Sequence, residues 1–286
     1  MGAKPNMDAI LNTWPLGLIG LLSLAGLMGA CELGARLGSR SADDPHRDAA
    51  HGYILSGVFG LLALLIGFTF GMALDRYETR RALVVSEANA IGTAEMRVQL
   101  LEAPAGPALS SLLRDYARTR LLYGLADAAQ KPQLAVQSEV LRERLQADTL
   151  AGVAPIRTTP LAALVVSAVN ETIDIGAERE AAHAARLPAT VAVVLFVYAV
   201  VAAGVLGFAL SGSSRSHRSV SALMFLLLTL ALTLILDLDR PRGGTIQVSQ
   251  APMEGLVASF RPPATPGSPP SPATPVSPAG AAPSRP

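Results

Sequence analysis

Residues 53–97, YILSGVFGLLALLIGFTFGMALDRYETRRALVVSEANAIGTAEMR, decide how this chain folds. From Tyr53 to Leu74 the run is apolar and uncharged. At a helical rise of 1.5 Å per residue its length is roughly 33 Å, enough to cross the hydrocarbon core of a bilayer. The charged segment Asp75-Arg76-Tyr77-Glu78-Thr79-Arg80-Arg81 follows with no Gly or Pro between. Those charges cannot stay in lipid, so the helix must leave the membrane still helical. One rod therefore joins a membrane span to a water-exposed domain, and the rest of the chain is placed relative to it.

Half of the 286 residues are hydrophobic and only 16% are charged, with a mean hydropathy of +0.40. That excess is concentrated in four runs, which predicts a polytopic membrane protein. The first span is expected at Trp14 to Cys31, retained rather than cleaved, because the leader carries Lys4 against Asp8. Ala25 with Gly29, and Gly26 with Ala30, give it small residues four apart. Glu32 to Gly52 is expected as a polar loop, in which Asp43, Asp44, His46 and His51 have no clean metal-ligand spacing. The second span carries Gly67 and Gly71 as a GxxxG face. Pro188 to Leu210 is the third span, with Ala199, Ala203 and Gly207 stepping by four, and Ser219 to Leu236 the fourth. The short connection Ser211 to Arg218 makes these two antiparallel and, by expectation, neighbours.

Between the second and third spans apolar residues recur at helical spacing: Leu83, Ile91, Ala94 and Val98, then Leu109, Leu113, Tyr116 and Leu121. Pro104, Gly106 and Pro107 divide the first helices, and Lys131-Pro132 the next. A helix over Gln133 to Leu150 follows, then one starting at Thr159-Pro160 with the threonine as N-cap and proline at N1. The expected fold class is all-α: four transmembrane helices and a cytosolic helical bundle continuous with the second and third spans. In residue terms, 1–74 holds the first two spans, 75–187 the bundle, 188–237 the last two spans and 238–260 a short cytosolic segment. Residues 261–286 contain ten of the 21 prolines and are expected to be a disordered Pro/Ala/Ser-rich tail.

Near the span ends the bundle side carries Lys4, Arg76, Arg80, Arg81, Arg179, Arg186, Arg240 and Arg242, against Arg36, Arg40, Arg47, Arg215 and Arg218 on the other. Eight against five places the bundle and both termini in the cytoplasm. No span holds an Asp, Glu, Lys, Arg or His, so the relays and coupling sites of pumps and ion-driven carriers have no residues to build them. The net charge of +1 gives no basic face for nucleic acid. Cys31 is the single cysteine, which excludes an internal disulfide. No HExxH, GxSxG or P-loop pattern occurs, so neither an enzyme nor a cofactor is expected. Glu171 and Asp174 share a helix face that reads as solvated. A pore gated by rings of apolar side chains from several subunits stays open.

Phe68 followed by Asp75-Arg76-Tyr77, Arg81 and Asn89 resembles the spacing found in bestrophins. More closely, residues 10–257 resemble the uncharacterised bacterial bestrophin-like membrane family. The run Ala73 to Arg81, the run Glu87-Ala88-Asn89-Ala90-Ile91-Gly92-Thr93-Ala94, and Asp237-Leu238-Asp239-Arg240-Pro241 with Ile246 to Gln250 carry that likeness. It implies a homo-oligomer, as in pentameric bestrophins, in a bacterial inner membrane, with lipid and inorganic ions as partners. It also implies an apolar neck on the second span at Phe68, Leu64 and Gly60, where Gly60 departs from the bulky pattern. Thr69 stands where bacterial bestrophins often have Arg, and the acidic calcium clasp of animal relatives has no clear counterpart, although Asp237 and Asp239 lie in a comparable region. Two functions remain: a passive anion channel, or a non-conducting anchor whose bundle binds a partner.

Overall fold

The computed structural model describes residues 14–39, 47–127, 129–211, 215–240 and 244–260, with side-chain surroundings for all of these except 47–51 and 215–218. The leader with Lys4, the loop residues Asp43, Asp44 and His46, Arg242 and the tail 261–286 lie outside them. Within them the α-helices are α1 Leu16–Gly38, α2 Arg47–Val98, α3 Ala105–Leu125, α4 Lys131–Val153, α5 Pro160–Ala184, α6 Ala189–Ala209, α7 Arg215–Asp239 and α8 Ala251–Ser259, with no strand among the described residues. Four stretches are long and apolar enough to cross a membrane, and they fall on α1, α2, α6 and α7.

The rod expected from residues 53–97 is α2, whose 52 residues extend over about 78 Å. Its apolar half packs on α6 and α7, and α1 packs on the same two helices, so that Leu27, Leu62, Ala73, Leu195, Ala199, Ala203, Phe225 and Ile235 form one core. Its charged half enters a second core with α3, α4, α5 and α8, where Ile91, Ala94, Val98, Leu113, Tyr116, Leu145, Val165 and Met253 are buried. Both cores share α2.

The structure departs from expectation in five places. The third span is not continuous with the bundle: α5 stops at Ala184, α6 starts at Ala189, and Ala185 and Pro188 are extended. Pro188 has no N–H to continue a helix and pushes Leu187 toward extended backbone. Second, α1 runs past Cys31 to Gly38, supported by an Arg36 Nε to Glu32 Oε1 contact of 3.3 Å one turn apart. The polar connection is thus shorter than Glu32 to Gly52. Third, α6 and α7 make little direct contact among the described residues, because α1 and α2 each pack on both. A Cβ on Gly20 would lie 3.2 Å from Thr233 Oγ1 of α7, and one on Gly34 would overlap Gly204 O of α6.

The fourth departure concerns Thr159, which occupies the N-cap position of α5 ahead of Pro160 but makes no side-chain cap bond. Its hydroxyl donates instead to Ile156 O at 2.8 Å. Fifth, only part of the small-residue pattern is used inside the chain: Gly26 and Ala30 of α1 lie against Phe196 and Gly204 of α6. Gly29, Gly67 and Gly71 face open space, whereas Gly207 sits directly on Cys31 O and Gly38 on Phe208 O. Ala199, Ala203 and Gly207 on α6 do form a buried seam, as their spacing suggested.

Candidate functional site

Among the described residues, one face of α2 is left bare. In the apolar half it carries Gly57, Gly60, Leu64, Phe68, Gly71 and Met72, and in the charged half Asp75, Thr79, Ala82, Ser86 and Asn89. These positions recur at intervals of three and four, so they fall on a single stripe of the rod. Phe68 is 66% exposed and Leu64 53% exposed. A Cβ on Gly57, Gly60 or Gly71 would meet nothing within 4 Å. The three expected neck positions therefore lie together, two bulky levels toward the charged half and one open level beyond. Asn89, named above in the family spacing, is exposed on the same stripe. At the helix exit Arg81 pairs with Glu78 at 3.5 Å with both side chains largely in solvent, which is worth under about 1 kcal/mol. Arg76 and Tyr77 are half-buried, and Tyr77 packs on the core of the spans.

The opposite face of α2 is occupied by charge. Glu87 is fully buried. Its Oε1 accepts from Arg120 Nε of α3 at 2.5 Å, and its Oε2 pairs with Arg179 of α5. Arg120 also pairs with Glu180 and donates to Gly176 O at 3.1 Å. Arg179 Nη2 donates to Gln250 Oε1 at 2.6 Å, which brings in the segment before α8. Glycines make room: a Cβ on Gly176 would overlap the Tyr116 hydroxyl, and one on Gly124 the Gln250 side chain. Burial pushes the Tyr116 phenol up to about 12. Arg120, although desolvated, is held charged above the usual guanidinium range by Glu87 and Glu180.

Where the spans meet the bundle, Asp237, Asp239 and Arg240 are brought together and buried. Asp237 accepts from Thr245 N at 2.8 Å, from the Thr245 hydroxyl and from Ile246 N at 3.3 Å. Asp239 holds Leu187 N with both oxygens at 2.9 and 3.1 Å, bridging the break between α5 and α6. Arg240 Nη1 donates to Trp14 O at 2.9 Å at the start of α1. Arg80 Nη2 donates to Leu238 O at 2.6 Å, tying α2 to the end of α7. The carboxylates in the region comparable to the acidic clasp thus accept from backbone amides and from the Thr245 hydroxyl.

Arg120 was not singled out, while Arg179 entered only as a cation near a span end and Gln250 only as the last residue of a family run. A signal for Arg120 existed: Leu109, Leu113, Tyr116, Arg120 and Tyr123 step by four and three along one buried face of α3. An arginine on an apolar seam must meet a buried carboxylate.

A family model described as Bestrophin-like domain matches residues 21–253. Among solved structures the fold is similar to a bacterial bestrophin homologue from Klebsiella pneumoniae in a point-mutant form. That likeness has 15% identity, covers 82% of this chain and 96% of that one, and has a TM-score of 0.60. A second mutant form of that homologue is similar at 15% identity, with 84% and 94% covered and a TM-score of 0.60. A crystal structure described only as a mutant membrane protein matches at 13% identity, with 80% and 95% covered and a TM-score of 0.57. No curated protein matches the chain in sequence.

Proposed function

The chain belongs to the Bestrophin-like family, and on that premise we propose that it is a homo-oligomeric, passive anion channel whose subunits turn the bare stripe of α2 toward a common axis. The observation that carries this reading is the stripe itself. Among the described residues of one subunit nothing covers Gly57, Gly60, Leu64, Phe68 and Gly71, although other faces of α2 pack on α6 and α7. A ring of copies, five by the resemblance to bestrophins, would gather Phe68 and Leu64 into two apolar levels. Such a constriction gates by dewetting. Gly60 would leave the next level wide. The spans carry no charge to bind ions tightly, which suits passive flow.

The bundle and both termini lie on the cytoplasmic side of a bacterial inner membrane in this reading, by the arginine asymmetry described above. Asp237 and Asp239, committed to backbone amides, give no reason to invoke divalent-cation control. No catalytic residue is assigned.

Halide and potassium flux into liposomes holding the purified protein, beside Phe68→Ala, tests the proposal. Halide flux that rises in the variant supports both the channel and its neck. Equal flux keeps the channel and moves the constriction. No flux from either folded preparation sinks the channel and leaves a membrane anchor whose bundle binds a partner.

A further inference from the structure

The bare stripe of α2 holds one ionisable side chain between Gly57 and Asn89, and it is Asp75. Seven residues past Phe68 make two helical turns less roughly 20°, so Asp75 stands in line with Phe68 on the bundle side, about 10 Å further along the rod. The levels that follow on the stripe, Thr79, Ala82, Ser86 and Asn89, are exposed and uncharged. The other charges of this segment lie off the stripe: Arg76 and Glu78 roughly 80° to either side, and Arg81 roughly 140° away. Arg81 is matched by Glu78, and Arg76 is half-buried. Asp75 is exposed, and among the described residues it makes no ion pair.

Where copies of α2 face a common axis, as proposed above, the copies of Asp75 form a circle of carboxylates at the bundle-side mouth of the Phe68 neck. Apolar levels constrict without telling an anion from a cation, whereas a circle of acidic side chains repels the one and gathers the other. Five such charges about 10 Å from the neck, acting through water and screened over one Debye length at about 0.1 M salt, lower the halide concentration there about two- to threefold. Small cations rise by the same factor. At about 1 M salt the Debye length shrinks to about 3 Å, and the effect at the neck is lost.

We infer that Asp75 is the specificity-determining residue of this channel, setting the balance of anion against cation passage by depleting halides and gathering small cations at the bundle-side mouth of the neck. The assignment rests on the stripe of α2 lining a pore, and it adds the sign of charge that the apolar levels of Phe68 and Leu64 lack. Asp75 works against halides, so it holds the preference for anions low. Thr79, Ala82, Ser86 and Asn89 bring no cation onto the stripe to offset it.

Single channels of the full-length protein in planar bilayers are recorded under a potassium chloride gradient, where the reversal potential gives the ratio of chloride to potassium permeability. In dilute salt Asp75→Asn should raise that ratio about two- to threefold, and Asp75→Lys should raise it further. In concentrated salt the parent and both variants should converge. Glu78→Gln removes an equal charge from the flank of the stripe and should leave the ratio near that of the parent. Size-exclusion chromatography of each preparation reports its assembly. A ratio that ignores position 75 while current persists, or that moves as much with Glu78→Gln, overturns the role of Asp75 and leaves the channel standing. An unchanged ratio with a weakened assembly in Asp75→Asn also overturns it, and gives the carboxylate to Arg76 of the partner subunit. Absence of current in every folded preparation overturns the channel reading itself, and the role of Asp75 with it.

Discussion

Arg120 of α3 and Glu87 of α2 meet at 2.5 Å with neither side chain exposed to solvent. A buried pair of this kind carries a desolvation cost that its own attraction barely repays, so it holds only while every remaining donor and acceptor is met. Here Arg179, Glu180 and Gly176 O complete the set. Removing one member strands a charge. Arg120→Met should therefore lower stability by about 3–5 kcal/mol, read as a large fall in melting temperature in detergent. The double variant Glu87→Gln with Arg120→Met should recover part of that loss. A single variant that melts like the parent would show that the pair contributes nothing.

Two glycines that look alike in sequence should behave oppositely. Gly207 lies against Cys31 O, so a Cβ there must push α1 off α6, whereas Gly67 has open space around it. Overpacking of this kind costs about 1–3 kcal/mol. Gly207→Ala should reduce the yield of folded protein on size-exclusion chromatography, and Gly67→Ala should not. Equal yields would place the close helix contact elsewhere.

Asp237 gathers three donors from Thr245 and Ile246, and Gly244 is packed so tightly on it that a Cβ would overlap Asp237 Oδ1. Hydrogen bonds to a charged acceptor are worth about 1.5–3 kcal/mol each. Both Asp237→Asn and Gly244→Ala should free the segment that carries Gln250 to Arg179. Amide hydrogen exchange over residues 244–260 is the measurement, and faster exchange confined to that segment is the expected outcome. Unchanged protection would mean that α8, through Met253 and Leu256 in the bundle core, holds the segment unaided.

The rod α2, the four spans and the helical bundle were all legible because they rest on runs of apolar residues and on helical period, which one sequence displays directly. The bestrophin-like motif was legible too, but its residues divide into two physical classes that spacing cannot separate. Phe68, Asp75, Arg81 and Asn89 are exposed on α2, while Glu87, Asp237, Asp239 and Arg240 are buried in polar junctions. The partners of Glu87 lie 33 and 92 residues away, a separation that local pattern does not encode. The break at Pro188 was written in the chain and yet was read as continuity, because the hydropathy of 188–210 spoke louder than its first residue. The separation of α6 from α7 was not legible at all. It depends on α1 entering between them through Gly20 and Gly34, a property of three helices together.

The stripe on α2 is exposed in one subunit, and so is much of α7, where Leu227 is 60% exposed. Exposure alone does not tell a pore wall from a lipid-facing wall, but chemistry does. Leu64 and Leu227 both lie near the middle of their spans. A polar side chain facing lipid has no partner and costs about 1–3 kcal/mol, whereas one facing a water-filled axis is hydrated and keeps the neck wet. Leu227→Asn should therefore reduce the folded yield, while Leu64→Asn should fold normally and raise halide flux. Sign of charge sharpens the contrast. A ring of carboxylates from Leu64→Asp should repel halides, and ammonium groups from Leu64→Lys should admit them, so the ratio of their fluxes reports whether position 64 faces the ions. If Leu64→Asn instead behaves like Leu227→Asn, losing folded protein with no gain in flux, the stripe faces lipid and the neck assigned to Phe68 and Leu64 falls with it.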